Sequence, residues 1–193
     1  HNGAVTDPAA WHARRELYDI ADIVAFEDSG EYLYVAADCS RAYSADKLAA
    51  FTRQVVYLRP DTFVIFDRVE STRAEFRKTW LLQAMKTPER RGESLVVTHG
   101  DGRLFVQTLL PRDPNVALHD GDDLYRYGGR AYPPERDTGP APECRVEVSP
   151  REVSTVDYFL HVLTASSAAT DDVPAAALAE DGGAFVVAVG DAE

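Results

Sequence analysis

The sequence predicts an all-β fold, an antiparallel β-sandwich with a few short helices. Short runs rich in β-branched and aromatic residues recur along the chain, and turn residues separate them at regular spacing. Several of these runs, such as 55–58 and 158–163, are apolar on both faces. Because a strand buried on both faces has no wet side, such runs favour central strands packed between two layers.

The strongest local signal is a β-hairpin over residues 51–69. Two strand-like runs flank Arg59-Pro60-Asp61-Thr62, a segment of turn-forming residues. A second hairpin is predicted over residues 94–110. Its turn is Gly100-Asp101-Gly102, because glycine readily adopts the positive φ angles that a tight turn requires.

The rest of the predicted secondary structure consists of further strands and three weak helical signals. The strands cover residues 22–28, 31–38, 76–83, 144–148, 157–163 and 184–189. The helical segments cover residues 9–19, 44–50 and 172–180, the last being either a C-terminal turn or a loose strand connection. We find neither an internal repeat nor a clear boundary, so residues 1–193 are predicted to form a single β-sandwich domain.

A long irregular segment is predicted between residues 119 and 142. Long loops without secondary structure in a compact domain are usually functional or partly disordered. This one mixes aromatic and basic residues, which can stack on a ligand and pair with carboxylates. On composition, we predict substrate-binding residues here: Tyr125, Arg126, Tyr127 and Arg130.

The charge of the chain argues against two classes of partner. Its net charge is −12, whereas nucleic-acid binding requires clustered Lys and Arg, and an anionic membrane repels an acidic protein. We therefore expect neither nucleic acid nor a membrane as a partner. An acidic polysaccharide is still compatible, because a local arginine cleft can attract carboxylates despite an unfavourable net charge.

Cys39 and Cys144 are the only cysteines of the sequence. Two cysteines are too few for a disulfide scaffold, and their spacing fits no thiolate metal site. Each lies in or beside a strand-like run, so two buried free thiols are the favoured interpretation. One long-range disulfide is the alternative, suited to a periplasmic or secreted protein.

The sequence motifs do not assemble a catalytic site. No histidine pair has the spacing of a metal site, and no nucleophile elbow, P-loop or dinucleotide motif occurs. His161 lies mid-strand among apolar residues and is predicted to be a hydrogen-bonded core histidine. His99 and His119 lie near predicted turns and are expected to be solvated. We predict no catalytic residue in this chain.

Several segments resemble the heparinase II/III-like polysaccharide lyases, in the order and spacing of that family. They cover most of residues 22–165: Arg41-Ala42-Tyr43, 51–69, 102–111, 145–150 and 157–163. The resemblance implies an antiparallel β-sandwich of polysaccharide-lyase type. In the family, this sandwich follows an N-terminal α/α toroid.

The same resemblance implies a function for the parent protein. Such lyases break uronate-containing polysaccharides by β-elimination, in which a base removes the C5 proton and the bond to the 4-linked oxygen breaks. Their acid and base come largely from the toroid and the first sandwich strands, which would precede His1. We therefore expect a C-terminal fragment, inactive alone, whose partners are an acidic polysaccharide and the missing α/α domain.

The resemblance also implies a zinc ion in the full-length parent. The family's sandwich often holds zinc through two His and one Asp, with Asn after the last His, and His1-Asn2 stands at that place. Gly3 replaces the usual Thr, and without its two partners His1 is not expected to hold zinc tightly. An arbitrary chain boundary explains His1 equally well. Gln83 stands where the family commonly has His, which argues against an acid or base at that position.

Two hypotheses for the role of the chain follow. The first is a non-catalytic sandwich that supports the cleft of a lyase. The alternative is a stand-alone carbohydrate-binding or assembly module, which would self-associate through an exposed apolar packing face. Family habit implies a periplasmic or secreted location, although the chain shows no signal peptide. The sequence leaves open which polysaccharide is cut and what the oligomeric state is.

Overall fold

The computed structural model describes residues 20–136, 139–173 and 175–190, and in these residues the chain is almost entirely β. The fifteen strands of the described residues are β1 Asp22–Asp28, β2 Tyr32–Asp38, β3 Leu48–Leu58, β4 Thr62–Ser71, β5 Trp80–Ala84, β6 Glu89–Arg91, β7 Ser94–His99, β8 Gly102–Leu110, β9 Pro114–Asp120, β10 Arg126–Tyr127, β11 Arg130–Ala131, β12 Cys144–Pro150, β13 Val156–Ser167, β14 Ala177–Asp181 and β15 Ala184–Ala188. The helices of the described residues are two single 3-10 turns, Ser40–Ala42 and Gly121–Asp123. The predicted all-β fold is confirmed, and no helix described is long and apolar enough to cross a bilayer.

Two antiparallel sheets form the sandwich. The large sheet has eight strands in the order β1-β2-β3-β4-β13-β8-β7-β6, and the small sheet has the order β5-β12-β9. Two separate hairpins, β10-β11 and β14-β15, complete the described strands. The hairpins predicted over residues 51–69 and 94–110 are β3-β4 and β7-β8, with the registers of antiparallel pairs.

The core lies between the small sheet and the β4-β13-β8-β7 half of the large one. Alternate residues of β12 face inward, and Val146 and Val148 are almost completely buried there. Trp80 of β5 packs in the same cluster as Val106 and Phe159 of the large sheet. This alternation places the other residues of β12 on the outer face of the small sheet.

The β1-β2-β3 half of the large sheet is far less covered. Every residue of the edge strand β1 is exposed, and Val24 and Phe26 are 61% and 63% accessible. On the face of the large sheet that points away from the small sheet, the β14-β15 hairpin packs through Phe185 against Phe66 and Tyr158. The ring centroids are 5.6 and 5.3 Å apart, respectively. Apolar side chains are therefore exposed along β1, and a partner that packs on them stays a prediction.

Several predicted boundaries are wrong for identifiable reasons. The single turn predicted over 44–50 is confined to its first residues, where the Ser44 carbonyl accepts hydrogen bonds from the Lys47 and Leu48 amides. Residues 48–50 belong to β3, because their pairing with β4 overrides the helical preference of alanine. The strand predicted over 76–83 begins only at Trp80. The alanine-rich segment 172–180 ends in strand β14. The helix predicted over residues 9–19 lies outside the described residues.

Candidate functional site

The segment that connects β9 to β12 carries the four predicted substrate-binding residues. It is not irregular throughout, as predicted, because β9 continues to Asp120 and a short hairpin follows. The turn of this hairpin is Gly128-Gly129, with φ angles of +57° and +79°. A two-residue turn with both φ angles positive matches the twist of an antiparallel pair. In the sequence, the Gly128-Gly129 pair was the signal from which this hairpin could have been predicted.

The hairpin brings the four predicted residues close together. Tyr127 pairs with Arg130 across the two strands, and the Tyr125 carbonyl accepts a 2.8 Å hydrogen bond from the Tyr132 amide. The Arg126, Tyr127 and Arg130 side chains are exposed, and Tyr125 is half-buried. Tyr127 and Arg130 therefore share one face of the β10-β11 hairpin, and Arg126 lies on the other face, because successive residues of a strand point to opposite faces. That they bind a substrate stays a prediction.

Arg145 of β12 anchors this hairpin to the small sheet. Its guanidinium donates hydrogen bonds to the backbone carbonyls of Leu124 and Arg126, the latter at 2.7 Å. Its Nε donates to Glu147 Oε1 at 3.0 Å, and both side chains are about nine-tenths buried. Because a buried charge is costly unless it is paired and hydrogen-bonded, these contacts account for how Arg145 is tolerated beneath the hairpin.

The anchor lies on the outer face of the small sheet because of the pleat of β12. Cys144, Val146 and Val148 point into the core, so Arg145 and Glu147 point away from it. Arg145 is paired with Gln83 of β5 on one side and with His119 of β9 on the other. The sequence predicted β12 as a strand but offered no local signal that its outward Arg would bind loop carbonyls.

His119 is not the fully solvated residue that the sequence predicted. Its side chain is 30% exposed, and its Nε2 atom is buried 3.6 Å from Glu147 Oε2, beyond hydrogen-bonding distance. The sequence placed His119 near a turn, whereas β9 carries it to a position opposite Arg145. The His119 ring therefore lies beside the Arg145–Glu147 pair and is only partly exposed to solvent.

The electrostatics of the hairpin are locally mixed. Arg126 Nε lies 3.9 Å from Asp123 Oδ1, and both side chains are more than half exposed. An exposed pair of this kind is weak and leaves the guanidinium able to exchange partners. The Arg130 guanidinium lies 5.2 Å from the centre of the Tyr132 ring, within the range of a cation–π contact.

His161 is the core histidine that the sequence predicted. It is fully buried, its Nδ1 lies 3.1 Å from Thr108 Oγ1, and its ring stacks on Trp80 at 3.8 Å between centroids. Burial, and to a smaller extent the nearby Arg53 charge, lower the pKa of His161 to about 3. Its imidazole is therefore neutral at physiological pH and shielded from any polysaccharide.

The Arg53 charge is held by a two-pronged ion pair. Its guanidinium donates to both carboxylate oxygens of Asp67, at 2.7 and 2.6 Å, and the Asp67 side chain is 3% exposed. The Asp67 hydrogen bonds raise the pKa of Arg53 further, against the effect of burial. This pair lies within the large sheet and contributes to structure there, not to the β10-β11 hairpin.

The two cysteines are free, which confirms the favoured interpretation, although only Cys144 is fully buried and Cys39 is half-buried. Burial raises the pKa of both thiols. For metals, the described residues contain no group of three or more His, Cys, Asp or Glu that could hold an ion. No zinc site can therefore be built from them, and the predicted ligand His1 lies outside the part of the chain that the structure describes.

No protein-family model matches the sequence, and a search of curated proteins finds no significant match. Solved structures do match. The chain is similar to heparan sulfate lyase HepC from Pedobacter heparinus, with a TM-score of 0.60 and 15% identity, over 98% of this chain and 31% of that one. A mutant of the same lyase gives a TM-score of 0.59 with the same coverage.

A heparinase III gene product is also similar, with a TM-score of 0.61 and 12% identity, over 88% of this chain and 26% of that one. At such identities, the comparison shows the fold alone. The chain spans about a third or less of the length of each of these lyases. The resemblance that the sequence motifs predicted is confirmed at the level of the fold.

Proposed function

We propose that this chain, which has the fold of a portion of the heparinase III-type lyases, is the non-catalytic β-sandwich part of a lyase that cleaves uronate-containing polysaccharide. One observation carries the proposal: the likeness extends over 98% of this chain but only 31% of the Pedobacter heparan sulfate lyase. A chain that matches one part of a longer enzyme is expected to have the role of that part. Here, we expect it to support the catalytic domain and to line a share of the substrate cleft.

The chemistry that we propose for the parent is β-elimination. A base removes the C5 proton of the uronate, the bond to the 4-linked oxygen breaks, and an acid protonates the leaving oxygen. Negative charge builds on the uronate carboxylate and must be neutralised. His161 does not supply the base here, because it is fully buried under Trp80 and makes no contact with solvent. We assign the base and the acid to the parts of the lyase that precede this chain.

The β10-β11 hairpin is the proposed substrate contact of this chain. Tyr127 is 67% exposed, and an exposed ring can stack on the apolar face of a sugar. The Arg126 and Arg130 guanidinium groups can donate paired hydrogen bonds to a uronate carboxylate or a sulfate. Arg145 would act only indirectly, by fixing the backbone at Leu124 and Arg126.

Zinc and export belong to the same proposal for the parent protein. We propose that zinc, if the parent binds it, uses His1 together with ligands that precede this chain, and that the parent is periplasmic or secreted. Family resemblance supports both. Zinc content of a longer protein, compared with the same protein carrying His1→Ala, would test the ligand.

The experiment that tests the lyase role follows the ultraviolet absorbance of the unsaturated uronate that β-elimination creates. The chain alone is mixed with heparin, heparan sulfate, hyaluronate or alginate, and so is a longer protein that includes the residues encoded before His1. We expect no rise in absorbance from the chain alone and a steady rise from the longer protein with at least one polymer. A rise from the chain alone would contradict the non-catalytic role.

A stand-alone assembly module is the second candidate, and one observation favours it. Strand β1 is the edge of the large sheet among the described residues and exposes apolar side chains, and an exposed edge strand of this kind can pair with another chain. Self-association without glycan binding would support this candidate. Glycan binding without lyase activity in any longer protein would support a carbohydrate-binding module.

A further inference from the structure

A cleft lies on the outer face of the small sheet, the same face that carries Arg145, the anchor of the β10-β11 hairpin. The cleft has a volume of about 400 Å³ and is bordered by residues 74–78 and 149–154. Its volume falls within the usual range of small-ligand sites. Ser149 lines the cleft and Arg145 lies under the β10-β11 hairpin, both on the outer face of β12. The two residues are four positions apart along the strand, a distance of about 13 Å.

Of the cations that line the cleft, Lys78 is held in a buried ion pair and Arg151 in an exposed one. Lys78 is buried, and its Nζ donates to Asp157 Oδ2 and to the Ser154 carbonyl, each at 2.6 Å. Arg151 Nε lies 2.9 Å from Asp113 Oδ2. A buried, paired ammonium such as that of Lys78 holds the cleft walls together and is unsuited to exchange its partner for a ligand.

Arg77 is different, because its contact is with a neutral group. Its Nη2 donates to Ser149 Oγ at 3.1 Å, and Ser149 is 1% exposed. The Arg77 side chain is exposed, and among the described residues it forms no ion pair with a carboxylate. The serine thus holds a guanidinium that lines the cleft. A planar guanidinium held in this way is suited to a carboxylate or a sulfate.

We propose that Arg77, oriented by Ser149, binds one anionic group of an acidic polysaccharide, either a carboxylate or a sulfate. This inference rests on the proposed function for the identity of the polymer. Ser149 and Arg145, which binds the backbone of Arg126, lie on one face of β12, so a short oligosaccharide bound at the hairpin would extend along this face to Arg77. Glu75 and Glu152 also line the cleft, so it takes a single anionic group and binding weakens as salt is added.

Two probes test this proposal separately from the proposed function. The first is sodium sulfate, titrated into the chain against sodium chloride at equal ionic strength while NMR follows the Arg77 guanidinium and the Ser149 amide. We expect saturable shifts with sulfate, absent in Arg77→Gln and retained in Arg90→Gln, which removes the same charge from exposed strand β6. Shifts that do not saturate, or that survive in Arg77→Gln, would overturn the anion site.

The second probe is a heparan sulfate hexasaccharide, titrated calorimetrically. Losing one charge-assisted contact should weaken binding roughly tenfold in Arg77→Gln. The matched control Arg90→Gln removes the same charge from exposed strand β6 and should leave affinity within about twofold. Equal affinities for wild type and Arg77→Gln would show that the bound hexasaccharide does not contact Arg77. Sulfate binding at Arg77 without any hexasaccharide binding would keep the anion site and contradict the proposed polysaccharide partner.

Discussion

The guanidinium of Arg145 donates a 2.7 Å hydrogen bond to the backbone carbonyl of Arg126, which ties a buried strand to an exposed hairpin. Arg145 is 8% exposed, whereas Arg126 is exposed to solvent. One arginine thus positions the backbone that presents another. A rigid base is important for a binding surface, because ordering a mobile loop costs free energy on binding.

Replacing Arg145 by Met should destabilise the chain and loosen the hairpin. The substitution leaves the Glu147 carboxylate buried without its partner, and breaking a buried pair in this way costs about 3–5 kcal/mol. Urea unfolding measures the loss, and amide hydrogen exchange at residues 124–131 measures the loosening. In Arg145→Met/Glu147→Met, much of the stability should return while exchange at the hairpin stays fast. Slow hairpin exchange in both variants would show that Arg145 does not anchor it.

His161 should make the chain less stable in mild acid. Its pKa is about 3 in the folded chain against an ordinary 6.5, because burial disfavours the charged form. Between these two values, the unfolded chain binds more protons than the folded one, so the free energy of unfolding rises with pH. Stability is therefore lost as the pH falls below about 6.5, by about 1.4 kcal/mol per unit of pKa difference.

The variant His161→Gln tests this pH dependence. It cannot take up the proton, so its free energy of unfolding should fall less steeply between pH 6.5 and pH 4, whatever its stability at pH 7. His99→Gln, on an exposed strand end, should keep the slope of the wild type. Parallel curves for the wild type and His161→Gln would contradict the shifted pKa.

The two thiols should react with a maleimide at different rates. Burial raises the pKa of both, which lowers the fraction of reactive thiolate at neutral pH. Cys39 is half-buried and should be labelled slowly, while Cys144 should be labelled only on unfolding. Mass spectrometry of the labelled peptides distinguishes them. Rapid labelling of Cys144 in the folded chain would be inconsistent with its position in the core.

The exposed strand β1 should drive concentration-dependent association. Val24 and Phe26 present apolar surface on this strand, and burying it on another copy is favourable. Sedimentation velocity should show a larger species that grows with concentration and diminishes in Phe26→Ser. The control Tyr127→Ser removes an equally exposed ring from the hairpin and should leave association unchanged. A monomer at all concentrations would rule out the packing face as an interface.

Strands were predictable from sequence where residue pattern and turn chemistry agree. The β3-β4 and β7-β8 hairpins follow from apolar runs around clear turn signals, and their registers bear this out. Leu48 to Ala50 was mispredicted as helix because its pairing with β4 comes from residues some 20 positions away. Long-range pairing of this kind leaves no local trace.

The candidate site was predictable only in part. The composition of residues 125–130 marked an aromatic and basic surface, and the fold shows these residues gathered on one hairpin. The anchor was not predictable, because Arg145 donates to backbone carbonyls, which carry no residue identity. Arg77 was missed for a related reason, since its partner Ser149 is distant in sequence.

The affinity of the chain for heparan sulfate tests most directly whether the β10-β11 hairpin binds polysaccharide. The measurement compares the wild type with Arg126→Gln/Arg130→Gln, and uses Arg90→Gln/Arg112→Gln as a charge-matched control, by calorimetry at one fixed salt concentration. We predict saturable binding that weakens at least tenfold in the hairpin variant and changes little in the control. Equal weakening in the two variants would show that binding depends on net charge and not on the hairpin. Unchanged affinity in the hairpin variant would contradict polysaccharide binding by the hairpin.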